Sequence, residues 1–307
     1  MSLKKFIVIW LLCLVIGTGL IRASRNEGSN TLLIAIVKDK DISEYNSAMA
    51  GFREFLGKEN ITAQFEIYDE YEPSLIAKLK ALKPDLILTM GAPATNKVAA
   101  EIKEIPIVFS VVMDPRQSGI TSKNIYGASV DIPVKIQLEM VRSVVPKLNR
   151  IGVVYNPAEN ETVVQEARTL SKELGFTLNT YPVNSEREIP PLRDLPIDVL
   201  WIVPDSIACK DAITNRFLQA GVKYKIAVVG FSRYYAKAGA LLGIACDYKD
   251  IGRQSAEIAI KVLKGAPNSD LKISVPRIAT LYLNKTVAKL LGITFPETII
   301  KKASEVY

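Results

Sequence analysis

Short apolar runs alternate with longer amphipathic ones along most of this chain. Leu32–Val37, Ala63–Tyr68, Leu86–Met90, Ile107–Ser110 and Ile125–Ser129 have the length and side chains of strands. Between them, Glu44–Gly57, Ser74–Leu82 and Pro93–Ile102 carry apolar residues at helical spacing. Met49, Phe52, Phe55 and Leu56 form one such stripe, and Gly57 is well placed as a stop. The alternation restarts at Arg150. Strands are expected at Ile151–Tyr155, Thr177–Val183, Val199–Val203, Ile226–Gly230 and Leu241–Cys246, with helices at Glu161–Leu174, Ala208–Ala220 and Ser232–Ala238. A helix at Asp250–Lys264, a strand at Pro276–Leu283 and a helix starting near Asn284 complete the series. Strands alternating with amphipathic helices predict an α/β fold of parallel sheets covered on both faces.

One unit of the pattern occurs twice. Asp85-Leu-Ile-Leu-Thr-Met-Gly-Ala-Pro-Ala-Thr95 and Asp198-Val-Leu-Trp-Ile-Val-Pro-Asp-Ser-Ile-Ala208 each read as an acidic start, a short strand and a small-residue turn opening a helix. Two such halves predict two lobes facing a cleft, with a small molecule held at the strand ends. Residues 31–129 with 247–270 are expected to form the first lobe, and 130–246 with 271–307 the second. Such interleaving makes a hinged clamshell.

The matching turns differ in chemistry. Gly91, Ala92, Pro93, Ala94 and Thr95 offer backbone N–H groups and a hydroxyl at a helix start, suited to a carboxylate or to a plain strand-to-helix turn. Asp205 and Ser206 offer an anion suited to a ligand ammonium, or a helix cap that needs no ligand. Asp114, Asn156 and Asp247 also follow strands and suit either recognition or capping. Tyr45 and Phe231 are candidate aromatic walls.

Residues 1–30 stand apart. Lys4 and Lys5 precede an uncharged run from Phe6 to Ile21, then Arg22 and a polar stretch, the layout of a signal or anchor segment. Leu12 precedes Cys13 where lipidation wants a small residue, so Cys13 is not expected to carry a lipid. Removing residues 1–24 takes away three cations and no acid, lowering the formal charge from +7 to +4. The remaining charges are interspersed, and no nucleic-acid footprint is visible. Histidine is absent, which excludes imidazole-based nucleophile pairs and metal sites. No phosphate-binding glycine loop or nucleophile elbow occurs, so no catalytic residue, metal or cofactor is expected. Cys209 and Cys246 are expected as two buried thiols, with a strand between them, rather than a disulfide.

These residues resemble a family. Pro84-Asp-Leu-Ile-Leu88 with Gly91-Ala-Pro-Ala94, Ile105-Pro-Ile-Val-Phe109 with Asp114-Pro115, and Ile151-Gly-Val-Val-Tyr-Asn-Pro157 carry the likeness. Pro204-Asp205, Asp247-Tyr248, Gly252-Arg-Gln254, Leu283-Asn-Lys-Thr286 and Leu291-Gly-Ile-Thr294 continue it. The chain is similar to the substrate-binding proteins of ABC importers with the type I periplasmic-binding fold, in the group that includes tryptophan- and tyrosine-binding members. The resemblance implies two Rossmann-like lobes, an amino acid in the cleft, extracytoplasmic location and delivery to a membrane permease. It also implies that the Gly91–Thr95 turn takes the ligand carboxylate, and that Asp205 and Asn156 hold its amino end. Asp114, Phe231 and Asp247 would lie around the same cleft. Two departures are visible: Ala92 stands where members often carry a hydroxyl, and Lys38–Asn46 lacks their His-Pro loop. A ligand-sensing receptor or surface adhesin on the same fold is the alternative, with a carboxylate-dependent enzyme behind it.

Overall fold

The computed structural model describes residues 31–120, 125–145 and 147–307; the signal or anchor segment and Cys13 lie outside them. Two sheets organise the chain. The first is parallel throughout, in the order β2 (Ala63–Asp69), β1 (Leu32–Lys38), β3 (Leu86–Met90), β4 (Ile107–Val112), β5 (Ile125–Ser129). Ile34 pairs with Leu86, and Ile87 with Ile107. Every residue of β3 is buried, as a central strand covered on both faces must be. One face carries Leu79 from α2 (Leu75–Leu82), Val98 from α3 (Ala92–Glu101) and Ile102 just past it. The other carries Phe52 and Leu56 from α1 (Ser43–Lys58).

The second sheet runs β12 (Ala303–Val306), β11 (Ala279–Leu283), β10 (Leu242–Cys246), β9 (Ala227–Gly230), β8 (Val199–Trp201), β6 (Arg150–Tyr155), β7 (Thr177–Pro182). Only the β10–β11 pair is antiparallel. One face buries Trp201, Val153 and Leu138 with α4 (Val134–Val144) and α5 (Pro157–Leu174). The other buries Phe217 and Ile202 with α6 (Asp211–Tyr224), while α7 (Arg233–Ala238) adds Tyr235. β12 joins through Tyr307, whose N–H donates to Leu283 O at 2.8 Å.

α8 (Tyr248–Leu263) returns to the first sheet and crosses α1 very closely. A Cβ on Gly51 would stand 1.9 Å from Lys249 O, and one on Gly252 1.8 Å from Ala48 O. Both positions therefore require glycine, because the helix backbones meet there. The chain stays with the first lobe beyond the expected boundary at 270. Ser274 N donates to Gly127 O and Ser129 N to Ser274 O, both at 2.8 Å. These bonds satisfy the edge of β5, so the crossing to β11 falls after Ser274. Three segments join the lobes: the one after β5, the one entering α8, and 275–278.

Several elements depart from the sequence pattern. α4 was not expected, although Val134, Leu138, Val141 and Val144 form its buried stripe. β8 ends at Trp201 rather than Val203, and α6 begins at Asp211 rather than Ala208 because turns occupy 206–209. α9 (Lys285–Leu291) starts where expected. Asn284 caps it, accepting from Val287 N at 2.8 Å. Among the described residues no helix is long and apolar enough to cross a membrane.

Candidate ligand-binding site

Strand order alone marks one crevice in each lobe. β1 lies between β2 and β3, and β6 between β7 and β8. The connections after these strands leave in opposite directions, opening a gap beyond their carboxyl ends. In the first lobe that gap lies between Asp39 and Gly91; in the second it lies between Asn156 and Asp205. Both doubled turns thus sit at topological switch points.

The first of these points is filled and acidic. Gly91 has φ +85°, and a Cβ there would stand 2.1 Å from the Tyr45 hydroxyl and 2.9 Å from Asp39 Oδ1. Tyr45 is buried and its hydroxyl donates to Asp39 Oδ1 at 2.7 Å. Burial, then the bond to Asp39, pushes the Tyr45 phenol well above its ordinary range. Glu70 is buried nearby with Oε2 unpaired, and burial followed by Asp39 raises its pKa. Tyr45 is therefore core packing here and not an open wall. Thr95 is also withdrawn: fully buried, it donates to Gly91 O at 2.7 Å and lies 2.8 Å from the Thr89 hydroxyl. Ala92 is partly exposed and Pro93 exposed, while Ala94 is buried. The turn stands beside the Asp39 carboxylate, and Lys97 of α3 reaches Glu70 O.

The second point is a capping network. Asp205 is buried, with Oδ1 accepting from Ile207 N at 2.8 Å and Ala208 N at 2.6 Å, and Oδ2 from Asn156 N at 3.0 Å. These three backbone bonds give Asp205 a capping role, and Oδ2, with one bond, keeps a second acceptor site. Asn156 caps α5 through Ala158 N at 3.1 Å and donates to Glu159 Oε1 at 2.6 Å. Ser206 N donates to Glu159 Oε2 at 2.9 Å, and its hydroxyl bonds Oε1. Asp247 caps α8, accepting from Asp250 N at 3.1 Å.

Beside these turns a cavity of about 900 Å³ opens between the lobes. The loop after β4 supplies Met113–Ser118, the crossing after β5 supplies Ser129–Pro133, and α5 supplies Glu159, Asn160, Val163 and Glu166. Trp201, Val203, Phe231, Ile244 and Tyr248 give it an apolar, aromatic floor. Of the expected site residues, Asp114 and Phe231 line it; Tyr45, the Gly91–Thr95 turn, Asn156, Asp205, Ser206 and Asp247 do not. The lobes touch at its rim, where the Gln117 side-chain amide donates to Glu159 O. α3 steadies the same loop through Asn96, which donates to Ser118 O at 2.7 Å. Val111 and Asp114 both have positive φ, at 57° and 36°, so the chain bends sharply into the cavity wall.

Four charged lining residues were missed: Arg116, Asp131, Glu159 and Glu166. Asp131 accepts from Asp114 N at 2.9 and 3.1 Å, and burial raises its pKa despite that bond. Its position just past β5, at a strand's carboxyl end, was the readable signal. Glu159 follows the cap Asn156 by three residues, the spacing of a reciprocal cap. Arg116 carried no pattern of its own. Both thiols are free, with β9 between them; Cys246 is buried, Cys209 only partly.

Two α/β lobes joined by three crossings, with a cavity at the hinge, define a class of proteins that close on small solutes. Comparison gives the family. Residues 39–307 match the model described as ABC transporter substrate binding protein, and the chain belongs to that family. A tyrosine-binding protein of Clostridioides difficile strain R20291 is 25% identical over 230 residues, which span 71% of this chain and 66% of that relative. A ligand-free, open substrate-binding protein with adhesive properties from Clostridium difficile matches with TM-score 0.73 and 25% identity, over 90% of this chain and 99% of that one. A domain in complex with L-Trp from Streptococcus pneumonia matches with TM-score 0.58 and 23% identity, over 89% and 100%. The fold is that of the type I periplasmic binding proteins.

Proposed function

We propose that this chain is an extracytoplasmic solute receptor that captures an aromatic or apolar amino acid between its lobes and presents it to an ABC permease. The observation that carries the reading is the interlobe cavity. At about 900 Å³ it lies within the size range of small-molecule sites, and both lobes and the crossings between them line it. Its floor of Trp201, Phe231, Val203 and Ile244 suits an apolar side chain, and its rim carries charges of both signs. Met113 and Val275 line it yet remain 43% and 49% exposed, so apolar surface is left for a ligand or lobe closure to cover. Closure follows if the ligand touches both walls, because its contacts are then complete only in the closed form. The reading contains no catalytic step.

Isothermal titration of the purified chain against the twenty amino acids tests this. Saturable binding of one or more aromatic or apolar members is expected; no binding to any sinks the amino-acid reading. A role in surface adhesion is the second reading, favoured by the adhesive properties of one structural neighbour. Retention of the purified chain on host-cell surfaces, independent of ligand, would select it.

A further inference from the structure

The charges lining the interlobe cavity are unequal. Asp114, Asp131, Glu159 and Glu166 stand against Arg116 as the one lysine or arginine among the described lining residues. Glu159 is tied to Asn156 and Ser206, and Asp114 Oδ1 accepts from Gln117 N at 3.0 Å. No ion pair among the described residues reaches any of the four, and Glu166 is exposed. Asp131 lies at the hinge, partly buried, and burial lifts its carboxyl above the ordinary range; its oxygens accept from Asp114 N, and its own N–H donates to the Ser129 hydroxyl at 3.3 Å. A partly buried carboxylate without a cation is an energetic deficit that a bound ammonium would offset. The same cavity presents Trp201, Phe231 and Tyr248. The Trp201 indole N–H is held by Gln137 Oε1 at 3.1 Å, which fixes its ring. Aromatic faces beside a carboxylate are the usual surroundings of a recognised ammonium. The first-lobe turn, by contrast, has the Asp39 carboxylate beside Gly91.

We infer that Asp131 is the ammonium anchor of the ligand, and that recognition centres on this positive charge while the ligand carboxylate is dispensable. The inference rests on the reading of the cavity as a solute site and specifies which end of the solute the site reads. Asp131 sits on the crossing between β5 and α4, so a ligand anchored there spans the hinge whichever lobe its other end meets.

The test is titration of the full chain with L-tryptophan, L-tryptophanamide and N-acetyl-L-tryptophan, repeated on Asp131→Asn. Asparagine is nearly isosteric and retains an acceptor for Asp114 N. Binding of the amino acid and its amide within a few-fold, no binding of the N-acetyl compound, and roughly thirtyfold or greater loss in the variant are expected. Thermal melting reports whether the variant is folded. If it is not, the three probes on the unsubstituted chain still decide whether the ammonium or the carboxylate is read, and Asp131→Ser takes the place of the asparagine variant. Loss of binding on amidation with retention on N-acetylation, or unchanged affinity in a folded Asp131→Asn, overturns the anchor and leaves the amino-acid reading standing. Binding of the amide without binding of any amino acid overturns that reading and keeps the anchor. No binding of any probe or amino acid overturns both.

Discussion

Asp205 shows how one side chain suits two roles on paper, of which the fold displays the cap. An aspartate after a strand is either a ligand partner or a cap. Here three backbone N–H groups occupy both oxygens. Asp205→Ala should therefore lower folding stability by roughly 3 kcal/mol in urea titration, with Asp205→Asn retaining part of it. A ligand role would leave stability nearly unchanged and move affinity alone. The sequence could not decide between them, because the deciding atoms belong to Asn156, Ile207 and Ala208, one of them 49 residues away. Tyr45 was hidden for a like reason, since its packing over Gly91 exists only once β1 and β3 lie side by side. Thr95 was hidden locally, because its hydroxyl folds back on Gly91 O and Thr89 within the turn from β3 to α3.

Elements were more legible than side chains, since periodicity is local and most strands here are buried runs. The exceptions have physical causes. α4 follows Pro133 and has only one stripe of apolar residues, and the turns after Asp205 delay α6 by most of a turn. The α1–α8 pair was not readable as a contact, because the two helices are far apart in sequence and meet through glycines. Its rim carries Glu54, bonded by Lys249 at 2.6 Å and Lys58 at 3.1 Å, with Arg253 at 3.3 Å. Lys249 and then Lys58 hold its carboxyl at about 2, below its ordinary 4.5. A lowered carboxylate stabilises the fold at pH above 4.5 and loses that contribution as pH falls towards 2. Urea midpoints measured between pH 6 and pH 3 should thus fall less steeply for Glu54→Gln than for the unsubstituted chain. Parallel curves would mean that the bridges contribute nothing, as for many exposed pairs.

At the scale of the whole molecule, the two lobes and a cleft between them were legible from the doubled pattern, while most of the cavity's lining was not. The cavity is lined by the crossings, which carry no periodic pattern. One crossing is strutted: Arg277 bonds Asp250 at 2.9 and 3.0 Å and Glu257 at 2.8 and 3.2 Å, and Asp250 is buried. Arg277→Ala leaves that carboxylate without its cation. A loss of roughly 3 kcal/mol is expected, at the low end for a buried pair because Arg277 is half exposed. Hydrogen exchange should quicken at 275–278 and in the first turn of α8; uniform protection would show that the strut is idle. The return of α8 also sets an order in time. Synthesis delivers β1 to β5 first, yet the helix that covers α1 emerges only after most of the second lobe has been made. The earliest-made half of the protein waits for most of the other before it is finished, and a chain stopped short of Tyr248 would hold Phe52 and Leu56 with one side uncovered. No cut in the sequence yields either half alone.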